Sequence, residues 1–230
     1  MGQDGLISSR MRNWLELTLP SYDFEIYAHL PYLHGEDNIA SPDSRKAERA
    51  GRIMIESIEF SSGLGCSLVN THIGVNLGKG PHIPRAAYRL VQIAGEARDL
   101  GIEISVENQE NRCNGILNTP KDVEILTESA PEVRLTYDAG HGNTHGFGVA
   151  EFLPAVIGRL SYLHLHDNNG GWDEHLALGR GNLDIPLMMK ELERIGSGDR
   201  MPLTLELAIQ DLGPSLEYLK GINGRVAKMI

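Results

Sequence analysis

A chain of 230 residues with 41% hydrophobic side chains is long enough for one domain with a sizeable core. Its formal net charge of −10 excludes a general footprint for a phosphate backbone, which needs clustered Lys and Arg. Two cysteines, Cys66 and Cys113, form no CxxC pair, so neither a disulfide framework nor a thiolate zinc site is indicated and a reducing, cytoplasmic setting is expected.

Short apolar strands alternate with longer segments of helical period, the pattern of βα units around a parallel sheet. In chain order the expected strands are 24–29, 67–72, 102–107, 133–138, 160–166 and 203–206. The expected helices are 44–60, 84–100, 120–129, 150–158 and 185–195, several opened by capping or first-turn residues such as Asp43, Thr119-Pro120 and Asp184. The pattern predicts an α/β fold, a (β/α)8 TIM-type barrel forming a single domain over 1–230. The weak Gly5-Leu6-Ile7-Ser8 stretch is the sole strand candidate before Phe24, so the barrel is expected to be incomplete at its N-terminus, and an open edge invites a homodimer. The opening Met-Gly-Gln-Asp-Gly lacks a basic n-region, and no stretch approaches a bilayer-crossing apolar run, so no export or membrane partner is expected.

Side-chain parity divides each strand into a helix-packing face and an interior face. Ile102, Ile104 and Val106 share one face, which sends Glu103, Ser105 and Glu107 to the other. Val133, Leu135 and Tyr137 oppose Thr136 and Asp138; Leu163 and Leu165 oppose His164 and His166; Leu203 and Leu205 oppose Glu206. Phe24, Ile26 and Ala28 oppose His29, and His72 closes the next strand. Six strands therefore end at or near His, Asp or Glu, and parallel barrels gather their C-terminal strand ends at one mouth.

A lone inward His or Glu is more often a hydrogen-bonded structural residue than a ligand. Four strand ends carrying Glu107, Asp138, His164 and Glu206 point instead to a divalent cation, because clustered carboxylates without one would repel. His29, His72 and His141 are further candidate ligands. Asp173 and His175 read equally as ligands or as a loop salt bridge, and the glycines of the following loop, 176–184, suit a segment that folds over the mouth. His34, His82 and His145 read as ordinary surface residues. His166 reads as a supporting or substrate-binding residue, Arg180 as a substrate contact, and Trp172 as a lid stacking on a sugar ring or a hydrophobic loop anchor.

The segments Tyr27-Ala28-His29-Leu30-Pro31-Tyr32, Val69-Asn70-Thr71-His72, Val106-Glu107-Asn108, Tyr137-Asp138-Ala139-Gly140-His141, His164-Leu165-His166-Asp167-Asn168, Asp173-Glu174-His175 and Leu205-Glu206 resemble the xylose-isomerase-like superfamily. That superfamily includes sugar isomerases and epimerases as well as endonuclease IV. In the epimerase branch the resemblance implies one Mn²⁺, Mg²⁺ or Co²⁺ on Glu107, Asp138, His164 and Glu206. The two glutamates would be catalytic, moving a proton on a small sugar or sugar phosphate. In the endonuclease branch it implies three zinc ions on His29, His72, Glu107, Asp138, His141, His164, Asp173, His175 and Glu206, with Tyr32 near an abasic DNA site. Gly140 replaces a cysteine of the endonuclease pattern and the loop between His164 and Asp173 is shorter, which favours the epimerase branch; the epimerases' usual arginine after the His164 motif is missing here. A metal-binding barrel without catalysis is the third reading.

Overall fold

The computed structural model describes residues 8–31, 38–78, 80, 82–194 and 201–222. These residues group into two compact units, Met1–Glu107 with Ile125–Arg134, and Asn108–Glu124 with Leu135–Ile230.

The first unit opens with α1 (Ser9–Thr18), capped by the Ser8 hydroxyl on the Met11 amide. None of its residues is buried, although the Arg12 guanidinium lies 4.3 Å from the centre of the Phe60 ring. Strand β1 (Tyr27–His29) pairs in parallel with β2 (Leu68–Thr71), and β2 with β3 (Glu103–Glu107). The strand expected over 24–29 is thus halved. Pairing begins at Tyr27 opposite Leu68, and Phe24, assigned by parity to a helix-packing face, is exposed and meets Tyr22 at 5.4 Å.

Between these strands run α2 (Ser44–Gly63) and α3 (His82–Asp99). The Asp43 carboxylate accepts from the Arg45 and Lys46 amides, satisfying donors that the first turn leaves open. Ala47, Ala50, Met54, Ile58 and Ser61 then recur at three- and four-residue spacing along the buried face of α2. In α3 the buried set is Ile83, Ala86, Ala87, Leu90, Ile93 and Ala97. The helix begins two residues before Pro84, whose missing amide costs nothing in a first turn.

The second unit holds β4 (Arg134–Asp138), β5 (Leu160–Leu165) and β6 (Leu203–Leu205), again parallel in sequence order. A register shift after Leu135 skips Ser161 and brings Asp138 opposite His164. Helix α4 (Pro120–Ser129) precedes β4 and has the limits its sequence suggested. After β4 come α5 (Ala139–Thr144) and α6 (Val149–Val156), followed by α7 (Ile185–Arg194) and α8 (Ile209–Ile222). Helix α7 faces inward with Ile185, Met188, Met189 and Leu192.

Periodicity did not predict α1, α5 or α8. Helix α5 is six residues rich in glycine, and α8 carries Pro214 with Ser215 and Leu219 as its buried residues. Neither has the apolar stripe by which helices are read. The Gly5-to-Ile7 stretch lies outside the described residues, and six strands, not the eight of a full barrel, lie among those described. No helix among the described residues is long and apolar enough to cross a membrane.

Candidate metal centre

In the first unit, β3 ends at Glu107, which is 1% exposed. Its Oε2 lies 3.1 Å from His29 Nε2 at the end of β1 and 3.0 Å from His72 Nε2 just beyond β2, and accepts from Asn70 Nδ2 at 2.5 Å. Alternation along the strands explains this: Glu107 shares its face with buried Ser105, while Ile104 and Val106 occupy the other. Parity marked Glu107; it did not mark Asn70, whose amide anchors the carboxylate.

In the second unit, Asp138 ends β4 and also caps α5, accepting the His141 amide through Oδ1 at 2.8 Å. That short helix turns His141 back beside Asp138, with His141 Nε2 3.8 Å from Asp138 Oδ2 and 3.4 Å from Asp173 Oδ2. Asn108 braces the same turn, donating to the Asp138 carbonyl at 2.8 Å and accepting the Asp138 amide at 2.9 Å. Nothing in the strand pattern disclosed this role, because a side chain that imitates a neighbouring strand's backbone leaves no periodic signal.

At the next strand ends His164 Nδ1 lies 2.9 Å from Glu206 Oε1. Asp173 and His175 are joined, Nε2 to Oδ2 at 2.8 Å, so the salt-bridge reading of this loop pair describes the chain, and both residues also belong to a wider group. His166 is wholly buried, and its Nε2 lies 3.2 Å from Asp138 Oδ1 and 3.1 Å from Asp173 Oδ1. Candidate donor atoms gather as His29–His72–Glu107 in the first unit, and as Asp138–His141–His166 and His166–Asp173–His175 in the second. His82 and His145 join no such group among the described residues.

Hydrogen bonds define the ring tautomers. The Nδ1 atoms of His29, His141 and His175 meet the carbonyls of Leu30, Asn108 and Glu206 at 2.8, 2.8 and 2.6 Å. A carbonyl only accepts, so each Nδ1 carries the hydrogen and a neutral ring turns its Nε2 lone pair toward a carboxylate. Two electron-rich atoms face each other unless a proton or a cation lies between them. This donor set fits a divalent metal, as do the buried Asp173 Oδ1 and His166 Nε2, which lie close to each other without hydrogen-bonding geometry.

Without a metal, protons take that place. The Asp173 hydrogen bond, against the opposing effect of burial, pushes His175 up to about 9. Burial works to raise Asp173, yet hydrogen bonds from His141 and His175 hold its carboxyl well below the usual range. Burial likewise opposes a charge on His166, but Asp138 and then Asp173 outweigh it and raise its pKa. Burial first, and then the Asp138 charge, pushes the Tyr137 phenol up.

The loop after His175 is pinned, in contrast to the flexible cover its glycines suggested. Asp167 accepts the Gly179 amide at 2.9 Å and the Leu183 amide at 3.2 Å. Gly179 has φ +80° and lies under the Tyr218 ring, and Gly181 lies against the Asn168 carbonyl, where a Cβ would collide. Here the glycines serve close approach. Trp172 is half exposed with Arg112 5.5 Å from its ring, and Arg180 is exposed. Tyr32 and His34 lie outside the described residues.

Residues 15–222 match the family model described as xylose isomerase-like TIM barrel, and the chain belongs to that family. Its fold class is therefore the α/β TIM-type barrel. An uncharacterised protein of Methanocaldococcus jannaschii is 30% identical over 90% of this chain and 74% of its own length. An L-ribulose 3-epimerase of Methylomonas sp. is 26% identical over 82% of this chain and 66% of its own. Among solved structures, a D-tagatose 3-epimerase-like protein superposes with a TM-score of 0.83 at 27% identity, covering 96% of this chain and 85% of that one.

Proposed function

We propose that this protein is a divalent-metal-dependent isomerase or epimerase of a small sugar or sugar phosphate. Glu107, Asp138, His164 and Glu206 would hold Mn²⁺, Mg²⁺ or Co²⁺, which when bound polarises a substrate carbonyl and acidifies the neighbouring C–H. Glu107 and Glu206 divide the proton transfer: one carboxylate removes the proton beside the carbonyl and the other returns one to the enediolate. Asn70, His29 and His72 fix the Glu107 carboxylate, and His164 fixes that of Glu206. His166, Trp172, Arg180 and Tyr32 remain the substrate contacts that the sequence suggests.

The observation that carries this reading is the placement of Asp138, His164 and Glu206 at the C-terminal ends of three successive parallel strands. Kinship with an L-ribulose 3-epimerase and a D-tagatose 3-epimerase-like protein supports a ketose as substrate. The test is incubation of metal-loaded protein with a panel of ketoses and their phosphates in D₂O. Deuterium should enter at the carbon beside the carbonyl of at least one, and no incorporation with any of them overturns the proposal.

The groups His29–His72–Glu107 and His166–Asp173–His175, with His141 beside Asp173, favour a second reading, zinc-dependent hydrolysis of abasic DNA, since one cation does not need so many donors. Cleavage of a synthetic abasic duplex by zinc-loaded protein supports it; an uncut duplex removes it. Bound metal with neither activity would describe a non-catalytic barrel.

A further inference from the structure

Trp172 stands next to Asp173 in the chain, and its side chain is 48% exposed. The segment that follows β3 reaches it: the guanidinium carbon of Arg112 lies 5.5 Å from the centre of the indole, within range of a cation–π contact. Asn111 fixes that approach. Its Nδ2 donates to the Thr144 carbonyl at 2.8 Å and to the Gly171 carbonyl at 3.3 Å, and its amide donates to the Thr144 hydroxyl at 3.0 Å. The segment after β5 is held in turn by Asn143 of α5, whose Nδ2 donates to Asn168 Oδ1 and Asn182 Oδ1, both at 2.7 Å. Three segments that follow successive parallel strands are thus tied together by asparagine amides, with Arg112 exposed and Trp172 half exposed at their rim.

Carboxylates in the same segments are turned elsewhere. Glu110 accepts the backbone amide of Arg112, Glu174 accepts the amide of Asn169, and Asp173 is joined to His175. Among the described residues no carboxylate pairs with the Arg112 guanidinium. A guanidinium placed over an indole is steadied without spending its N–H donors, and their planar fork matches two oxygens of a phosphate. In a chain of net charge −10, an anionic sugar approaching Asp173 and Asp138 needs positive charge beside them that is not already neutralised. Arg112 supplies it one residue away from the donor group that contains Asp173.

We propose that Arg112, steadied by Trp172, binds the phosphate of a phosphorylated ketose, so that the substrates of this protein are ketose phosphates and not free ketoses. The inference rests on the isomerase or epimerase reading above and narrows its substrate class. Arg112 decides which ketose is held and takes no part in the proton transfer.

Trp14→Phe leaves Trp172 as the one tryptophan of the chain, and its fluorescence in the full-length, metal-loaded protein reports ligands at this place. D-ribulose and D-fructose are titrated against their terminal phosphate esters, with inorganic phosphate as competitor. At least one ester should change the emission and bind at least about tenfold more tightly than its parent ketose. Arg112→Gln should weaken that ester about 10- to 100-fold and leave the parent ketose unchanged, and Arg112→Lys, which keeps the charge and loses the fork, should recover part of the loss. Equal affinity for ester and parent in the Trp14→Phe protein overturns the proposal, as does a preference for the ester that survives in folded Arg112→Gln. A response to an abasic duplex alone also overturns it and passes Arg112 to the DNA reading. Deuterium exchange is scored separately. Ester-selective binding without exchange upholds the phosphate contact and removes the epimerase reading; exchange of free ketoses with no preference for their esters does the reverse.

Discussion

Around Glu107 a single carboxylate oxygen meets two imidazoles and an amide, whereas around Asp173 two carboxylates face three imidazoles. The Asn70 amide donates to Glu107 at every pH, so that carboxylate keeps a partner whether or not the rings are protonated. Among the described residues no amide reaches Asp173: its side-chain contacts there are imidazoles, and one of its oxygens has no hydrogen bond. Its charge must be balanced by protons on those rings or by a cation. Glu107 thus has one partner that never titrates, whereas the Asp173 group must exchange protons for a metal.

The largest expected effect separates chemistry from binding at the first group. Replacing Glu107 with Gln keeps the shape and removes the basic oxygen, so ketose turnover should fall about 10²- to 10⁴-fold. Circular dichroism should be unchanged. Retention of more than a tenth of the wild-type kcat would remove Glu107 from the proton transfer and leave it as a ligand alone.

Metal removal should follow in size. A cation that binds the folded chain and not the unfolded one adds about 2.7 kcal/mol at a hundredfold excess over its Kd. Urea titrations with and without chelator measure this increment. His72→Ala and Asp173→Asn should each remove part of it, and coincident curves for metal-loaded and chelated wild type would deny both groups a cation.

Gly140→Ala tests the packing of the second group alone. The added methyl meets the His166 ring, which is hemmed in by His175 and Asp138, so the protein should lose about 1–3 kcal/mol. Gly158→Ala, where a Cβ would meet nothing within 4 Å, should stay within about 0.5 kcal/mol of wild type. Equal stabilities would mean that the imidazole moves aside without cost.

Much of this could be read in the residues themselves. Ile102, Ile104 and Val106 against Ser105 and Glu107 gave both the strand and its inward carboxylate, because period-two alternation is imposed by the pleat. The same rule placed Asp138 at a strand end and put His164 and His166 on one face. It could not separate the roles of these histidines, since parity assigns a face and not a neighbour. Gly140 looked like a departure from a nuclease motif, and only packing gives its reason, the volume of the His166 ring. Asn70 and Asn108 act through single hydrogen bonds across strands, which no local pattern records. Phe24 and α1 failed for a related reason: sequence announces apolar residues, but burial needs a partner, and Trp14, Leu17, Tyr22 and Phe24 are all more than half exposed.

The smallest effect is the sharpest probe of the contrast between the groups. In the metal-free chain His175 is pushed up to about 9, so it holds its proton throughout the neutral range. A cation needs the neutral ring and must expel that proton. Below about pH 9 the apparent affinity of the Asp173 group should therefore rise about tenfold for each unit of pH, equivalent to about 1.4 kcal/mol per unit, and should level off above it. Competition with a fluorescent zinc chelator between pH 6.5 and 9.5 reads the slope, with Asp173→Asn removing it and His72→Ala leaving it in place. A flat affinity in the wild type would mean that the cation expels no proton from His175, and a slope lost in His72→Ala would place that proton at the first group.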